Sequence, residues 1–285
     1  MSETFDGDWL ALREPFDAAA RNPALAARFI AALPERPVIM DLGCGTGSLL
    51  RWLAPRIAGD QAWLLVDADA GLLARGLAET ADWAEAQGFD VSVRGGLTVT
   101  TPHGVWRIAT RVADLADLEG LDIGDADAVV CSALLDLVSR RWLEALAAAV
   151  RGPMLACLNV DGHDRMMPSH AGDIAVTTGF RRDQARDKGF GPSVGRHAEA
   201  AFRAAFSARG FAVSAAESHW RIAPGAAHML SALVHGHADA AAHWMPAARG
   251  TIRAARAARL RQIAAGRLAM RVGHRDLLAL PNGGY

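Results

Sequence analysis

The 285 residues include only three cysteines, one lysine and one tyrosine. Cys44, Cys131 and Cys157 are odd in number, far apart and set in apolar or Gly-rich stretches, and no CxxC pair occurs, which speaks against a disulfide scaffold and against structural zinc. No close set of His, Asp and Glu has ligand-like spacing, so no metal is expected; Asp161, His163, His170 and Asp173 come nearest. No apolar run approaches the roughly 20 residues that span a bilayer. The start Met1-Ser2-Glu3 lacks the basic and apolar regions of a signal peptide, so a cytoplasmic location is expected. Excess charge of either sign is missing too. Thirty Lys and Arg against 31 Asp and Glu leave a net charge of -1, which provides no overall pull toward nucleic acid or an anionic membrane.

What is present is apolar material: 51% of the residues are hydrophobic and 21% charged, enough to bury a sizeable core. At roughly 150 residues per domain the length allows two domains, but one enlarged α/β domain is the expectation. Residues 9–33 carry apolar positions at helical spacing, interrupted at Pro15 and Pro23, and predict short N-terminal helices, a cap over residues 1–36. Strand-like runs at 38–42, 62–67, 128–132 and 153–159 then alternate with helical stretches at 48–58, up to 87, and at 141–150. Such alternation predicts a parallel sheet covered on both faces. Residues 97–101 and 105–110 flank the turn Pro102-His103-Gly104 and predict a hairpin leading into a central strand that ends near Asp114. Residues 161–196 have little periodicity and form a long excursion. A helix at 197–209, a strand at 211–222, two Ala-rich helices at 225–243 and 246–265 and a last strand at 268–280 complete the pattern.

The most informative run is Asp41-Leu42-Gly43-Cys44-Gly45-Thr46-Gly47, directly after an apolar strand and before a helix. Glycines let the chain turn sharply and approach a ligand closely. The GxGxG spacing is neither the GxGxxG of dinucleotide sites nor a phosphate loop, so a nicotinamide dehydrogenase fits the sheet but not the loop. The acid that opens the motif suits holding the loop and meeting an ammonium group. About twenty residues on, Asp67 ends the second strand, where an acid can hydrogen-bond both hydroxyls of a ribose. Asp114 ends the third; Asp117 competes with it, and a helix cap is the alternative role.

This set of residues resembles the class I S-adenosylmethionine-dependent methyltransferases over about residues 38–222, and the N-terminal and lid segments look like those of bacterial small-molecule enzymes of that kind. The resemblance implies an α/β, doubly wound, mostly parallel seven-stranded Rossmann-like sheet over 37–285, with a lid insert at about 161–196 and a helical insert at about 225–266. It implies S-adenosylmethionine as cofactor and S-adenosylhomocysteine as product. Asp41, Gly43, Cys44, Gly45 and Gly47 would lie under the methionine part, Asp67 and Ala68 at the ribose, Asp114 at the adenine amino group and Leu115 against the base. Cys131 and Ser132, after the fourth strand, would border the cofactor, and Arg13 would meet its carboxylate unless it simply sits on a helix surface.

Ligands of open α/β sheets bind beyond the carboxyl ends of the strands, so an acceptor belongs near Asp136, Asp161 and His163, the candidates for orienting it or removing its proton. A cap for Asp136 and a solvated loop for His163 are the plain alternatives. Methyltransferases acting on DNA bases carry [DNS]PP[YFW] after the fourth strand; Cys131-Ser132-Ala133-Leu134 stands there instead, which argues against base methylation by that route. In the segment 186–192, Arg186, Lys188 and Phe190 suit a lid over an anionic or heteroaromatic acceptor, or else a solvated charge run. The expected activity is methyl transfer to an oxygen or nitrogen of a small molecule, with neither nucleic acid nor membrane as partner. Two other readings stay open: RNA methylation through Arg249, Arg253 and Arg256 and the arginines up to 271, and a cofactor-binding protein without catalysis. The Ala-rich helices suit a cap or a dimerisation element, which leaves a homodimer open.

Overall fold

The structure, a computed structural model, describes residues 6–283; residues 1–5, with the acidic start, and 284–285 lie outside the described residues. Asp6 accepts the N–H of Asp8 and opens α1 (Gly7–Ala20), and Asn22 caps α2 (Pro23–Ile30), whose leading proline has no N–H to lose. The interruption expected at Pro15 does not occur. α1 runs through it because Pro15 and Ala11, whose carbonyl loses its helical partner, are both exposed to water.

Next along the chain come β1 (Val38–Leu42), α3 (Ser48–Leu53), β2 (Gln61–Asp67), α4 (Ala70–Ala86), β3 (Asp90–Ser92), β4 (Leu97–Thr101) and β5 (Gly104–Val112). β6 (Ala128–Ser132), α5 (Arg140–Ala149), β7 (Met154–Val160), β8 (Arg165–Met167) and α6 (Asp173–Gln184) follow. The remainder is α7 (Ala198–Ser207), β9 (Phe211–Glu217), β10 (Trp220–Ile222), α8 (Ala227–Trp244), α9 (Arg249–Ala264), β11 (Ala269–Val272) and β12 (His274–Pro281).

The main sheet has the order β3-β4-β5-β2-β1-β6-β7-β12-β9. β5, β2, β1, β6 and β7 are parallel, and β12 runs antiparallel to both β7 and β9. Nine strands rather than seven are present, because β3 and β4 add an antiparallel meander beside β5. Phe202, Phe206 and Leu143 bury one face under α5 and α7, and Phe29, Leu50 and Leu73 bury the other under α2, α3 and α4. β1 has β2 on one side and β6 on the other, so the chain switches direction across the sheet at the end of β1.

Each of the two long strands expected near the end is broken. β9 stops at Glu217 and β12 begins at His274; their continuations β10 and β11 leave the main sheet and join β8 in a second one, of order β10-β11-β8. At the crossing Ser218 donates its N–H to the His274 carbonyl (3.1 Å), and His274 donates its own to His219 Nδ1 (3.0 Å). Gly273 makes the bend possible: a Cβ there would lie 2.0 Å from Asp161 Oδ1. The excursion holds more order than its composition predicts, since α6 packs on α8 so closely that a Cβ on Gly179 would lie 2.6 Å from Ala241 Cα. The segments around 165–184 and 220–272 thus share one small layer, whose apolar cluster of Trp220, Met229 and Met270 also takes in Trp9, Leu12 and Phe16 of α1.

Candidate functional site

The run after β1 folds as a loop of left-handed turns, with φ of +66° at Gly43, +55° at Gly45 and +79° at Gly47. Gly43 and Cys44 both donate N–H to the Val66 carbonyl (2.9 and 3.1 Å), which ties the loop to β2. Asp67 completes the tie: Oδ2 accepts the Gly45 N–H (2.9 Å) and Oδ1 that of Asp69 (3.0 Å), while Asp69 caps α4. From above, Leu10 of α1 closes on the loop; a Cβ on Gly45 would stand 3.0 Å from its Cδ1. α1 is held there by Arg51, which is buried and pairs with Glu14 (Nε to Oε1 2.8 Å) while donating to the Thr46 carbonyl (2.6 Å).

Beyond the ends of β1, β2, β5 and β6 lies a cavity of about 610 Å³, a size suited to a small ligand. Gly43, Gly45, Asp67 and Ala68 line one wall, Asp114 and Leu115 another, and Arg13, Ser132, Lys188 and Phe190 the rest. A smaller cavity of about 50 Å³ shares Leu10, Arg13, Gly43 and Gly45 with it and adds Asp41 and Cys44. Asp41 is fully buried and both its carboxylate oxygens lack a hydrogen-bond partner. Burial, opposed by Arg21 and reinforced by Asp67, pushes its pKa up to about 8. Arg21, itself buried, donates to Ser48 Oγ (3.0 Å) and Ser132 Oγ (3.2 Å) and so joins the loop to the end of β6.

No protein-family model matches the chain, and no curated protein matches it in sequence. Solved structures do match in fold. A Bacillus halodurans protein described as a methyltransferase superposes with a TM-score of 0.51 at 12% identity, over 92% of this chain and 100% of that one. This is the methyltransferase fold. Two structures below that score are a type II methyltransferase, so described, from Anaeromyxobacter dehalogenans (TM-score 0.49, 18% identity, 92% and 98% covered) and a Streptomyces coelicolor geranyl diphosphate C-methyltransferase (0.44, 11%, 91% and 80%).

Within this methyltransferase fold the residues singled out from sequence separate into two groups. Ten of them line the larger cavity, and Asp114 rather than Asp117 is among them, its Oδ1 taking the Ala116 N–H (2.9 Å). Gly47 faces the other way, toward Arg51 and Thr80. Cys131 is buried in the core under α5 and lines neither cavity. Asp136 is buried just outside; burial raises its pKa, while Lys188, its own N–H, Arg13 and the Val160 N–H oppose the rise. Asp161 lies against Gly273, and His163, 3.2 Å from it, is 76% exposed; neither lines a cavity. Arg186 pairs with Asp183 (3.2 Å) instead of lining the cleft. Phe190 meets the ring of Trp142 edge-on at 5.9 Å, and Trp142 donates to the Leu115 carbonyl (2.6 Å), so Phe190 and Leu115 share one support.

The residues that sequence reasoning missed lie outside the strand–loop–helix motifs: Leu10, Asp17 and Arg21 at the N-terminal helix, and Trp220 in β10. Only the i,i+4 spacing of Arg13 and Asp17 offered a local signal. On the arginine-rich α9, Arg249 and Arg253 are exposed and Arg256 bonds Asp239 (2.8 Å), whereas Arg259 is buried against Asp173. Among the described residues no helix is long and apolar enough to cross a membrane, and no group of three His, Cys, Asp or Glu could hold a metal ion.

Proposed function

We propose that the protein transfers a methyl group from S-adenosylmethionine to an oxygen or nitrogen of a small molecule. The observation that carries this reading is the unpartnered, buried carboxylate of Asp41 in the small cavity that Arg13 also lines. A buried acid without a hydrogen bond is costly unless a ligand completes it. An amino-acid zwitterion does so: its ammonium answers Asp41, and its carboxylate answers Arg13, whose Nε and Nη2 are taken by Asp17 while Nη1 remains. Cradled glycines, the Asp67 carboxylate and the Asp114–Leu115 wall then suit the thioether, ribose and base. The Bacillus halodurans structure, itself described as a methyltransferase, supports the same reading through the shared fold.

S-adenosylmethionine, when bound, supplies a methyl carbon activated by the neighbouring sulfonium. The chain's own task is to align the acceptor and, where needed, to take its proton. Asp136, buried just behind the cavity wall, is the candidate for the latter: burial raises its pKa, and the charges of Lys188 and Arg13 favour the ionised form that could take a proton. Lys188 attracts an anionic acceptor to the same edge of the cavity. Phe190, sharing a support with Leu115, closes the base side rather than the acceptor side. The test is a screen of small oxygen and nitrogen acceptors with methyl-labelled S-adenosylmethionine. Label moving to one acceptor class, and lost in Asp136→Asn, supports the reading; cofactor binding without transfer to any acceptor leaves a binding protein.

A further inference from the structure

We infer that Asp17 and Trp220 are positioning residues that hold Arg13 in the place where it receives the cofactor's carboxylate; this rests on the proposed cofactor reading. An arginine on the face of a helix ordinarily points into water, its long side chain costly to order. Arg13 does not. Asp17, one turn on, takes Nε at 3.0 Å and Nη2 at 3.3 Å, and Trp220 lies under the guanidinium, its ring centroid 4.9 Å from Cζ.

Trp220 serves this arrangement twice. Its ring supports Arg13, and its Nε1–H donates to Asp17 Oδ1 at 2.9 Å, which fixes the carboxylate that grips the arginine. Trp220 is itself set by rings on two sides, Trp9 at 6.3 Å and His274 at 4.8 Å, and is 3% exposed. An ion pair that merely fastened α1 to β10 would need no such position at the cleft. Arg13, however, lines both cavities, and the smaller of them also contains Asp17 and the unpartnered Asp41. With one edge of the guanidinium occupied, the remaining Nη1 is presented at low entropic cost to a second carboxylate. β10 belongs to the small sheet formed with β8 and β11, so the layer built from residues outside the main sheet sets the cation of the cofactor cleft.

The experiment is calorimetric titration of the full-length chain with two probes: S-adenosylhomocysteine, and 5′-methylthioadenosine, which keeps the nucleoside and sulfur but lacks the amino-acid end. Trp220→Phe keeps the ring and removes the N–H donor; it should weaken S-adenosylhomocysteine about threefold to tenfold and leave 5′-methylthioadenosine unchanged. Asp17→Asn should act in the same direction, and Arg13→Met should narrow the gap between the two probes' affinities further, leaving only what Asp41 contributes. Thermal unfolding of each variant confirms that it is folded. Equal losses for both probes, or no loss for either, overturn the positioning role. A wild-type chain that binds 5′-methylthioadenosine as tightly as S-adenosylhomocysteine also overturns it, whereas one that binds neither overturns the cofactor reading beneath it.

Discussion

Asp67 accepts the backbone N–H of Gly45 across 2.9 Å, so the acid at the end of β2 builds the glycine loop as well as facing the cavity. Two functions therefore fall together in one substitution. Asp67→Ala should weaken S-adenosylhomocysteine by about 1.5 to 3 kcal/mol, a factor of roughly ten to a hundred or more, and should also lower stability by about 1 to 3 kcal/mol through the released loop donors. Asp67→Asn keeps one acceptor oxygen and should lose less stability than binding. Calorimetry and denaturant unfolding separate the two; unchanged affinity in the alanine variant would remove Asp67 from the site.

The Asp41 carboxyl, raised to about 8 mainly by burial, gives the site a pH signature. Below the unfolded value near 4 both states are protonated. Between about 4 and 8 the unfolded chain ionises first, so this residue's contribution to stability falls as pH rises. An incoming ammonium favours the ionised form, so binding should release a proton and tighten as pH climbs from 6 toward 7.5. Titrations in buffers of different ionisation enthalpy read that proton directly. Asp41→Asn should abolish the release; wild-type heats independent of buffer would contradict the assignment.

Gly273 is expected to tolerate no side chain, since a Cβ would stand 2.0 Å from Asp161 Oδ1. Gly273→Ala should cost about 1 to 3 kcal/mol, and the double variant with Asp161→Ala should recover part of it. Urea unfolding of the four chains in the cycle measures the coupling. Additive losses would mean that the bend is not shaped by this contact.

Arg51 gathers Glu14, Thr46 and Thr80 around one buried guanidinium and thereby fastens α1 over the loop. Arg51→Met should destabilise the fold by about 3 kcal/mol, because Glu14 keeps its charge without its partner. Removing both, with Glu14→Gln as well, should cost less than the sum of the two single losses. Denaturant midpoints decide, and a silent Arg51→Met would show that α1 is held by its other contacts, among them the Trp220–Asp17 hydrogen bond and its apolar face.

The glycine loop, Asp67 and Asp114 are legible in the sequence because strand, turn and helix follow one another within a few residues and each demands its own residue type. The covering elements are not legible in that way. Arg21 reaches Ser132 across 111 positions and Trp220 reaches Asp17 across 203, and no local pattern encodes such meetings. α6 is hidden for a related reason: its β-branched and charged residues give a weak helical period, and its order comes from Gly179 lying on Ala241 of α8. The breaks at Ser218 and Gly273 interrupt runs that read as single strands, since what bends them is a contact with Asp161 and His274 rather than a breaker pattern.

The most direct measurement is calorimetric titration of the intact protein with S-adenosylhomocysteine, run beside NADH as a control nucleotide. One site per chain, filled by S-adenosylhomocysteine and not by NADH, is the expected result. No heat with S-adenosylhomocysteine, or tight binding of NADH in its place, would contradict the claim that Asp41, Arg13 and the glycine loop form a receptor for an amino-acid-bearing nucleoside.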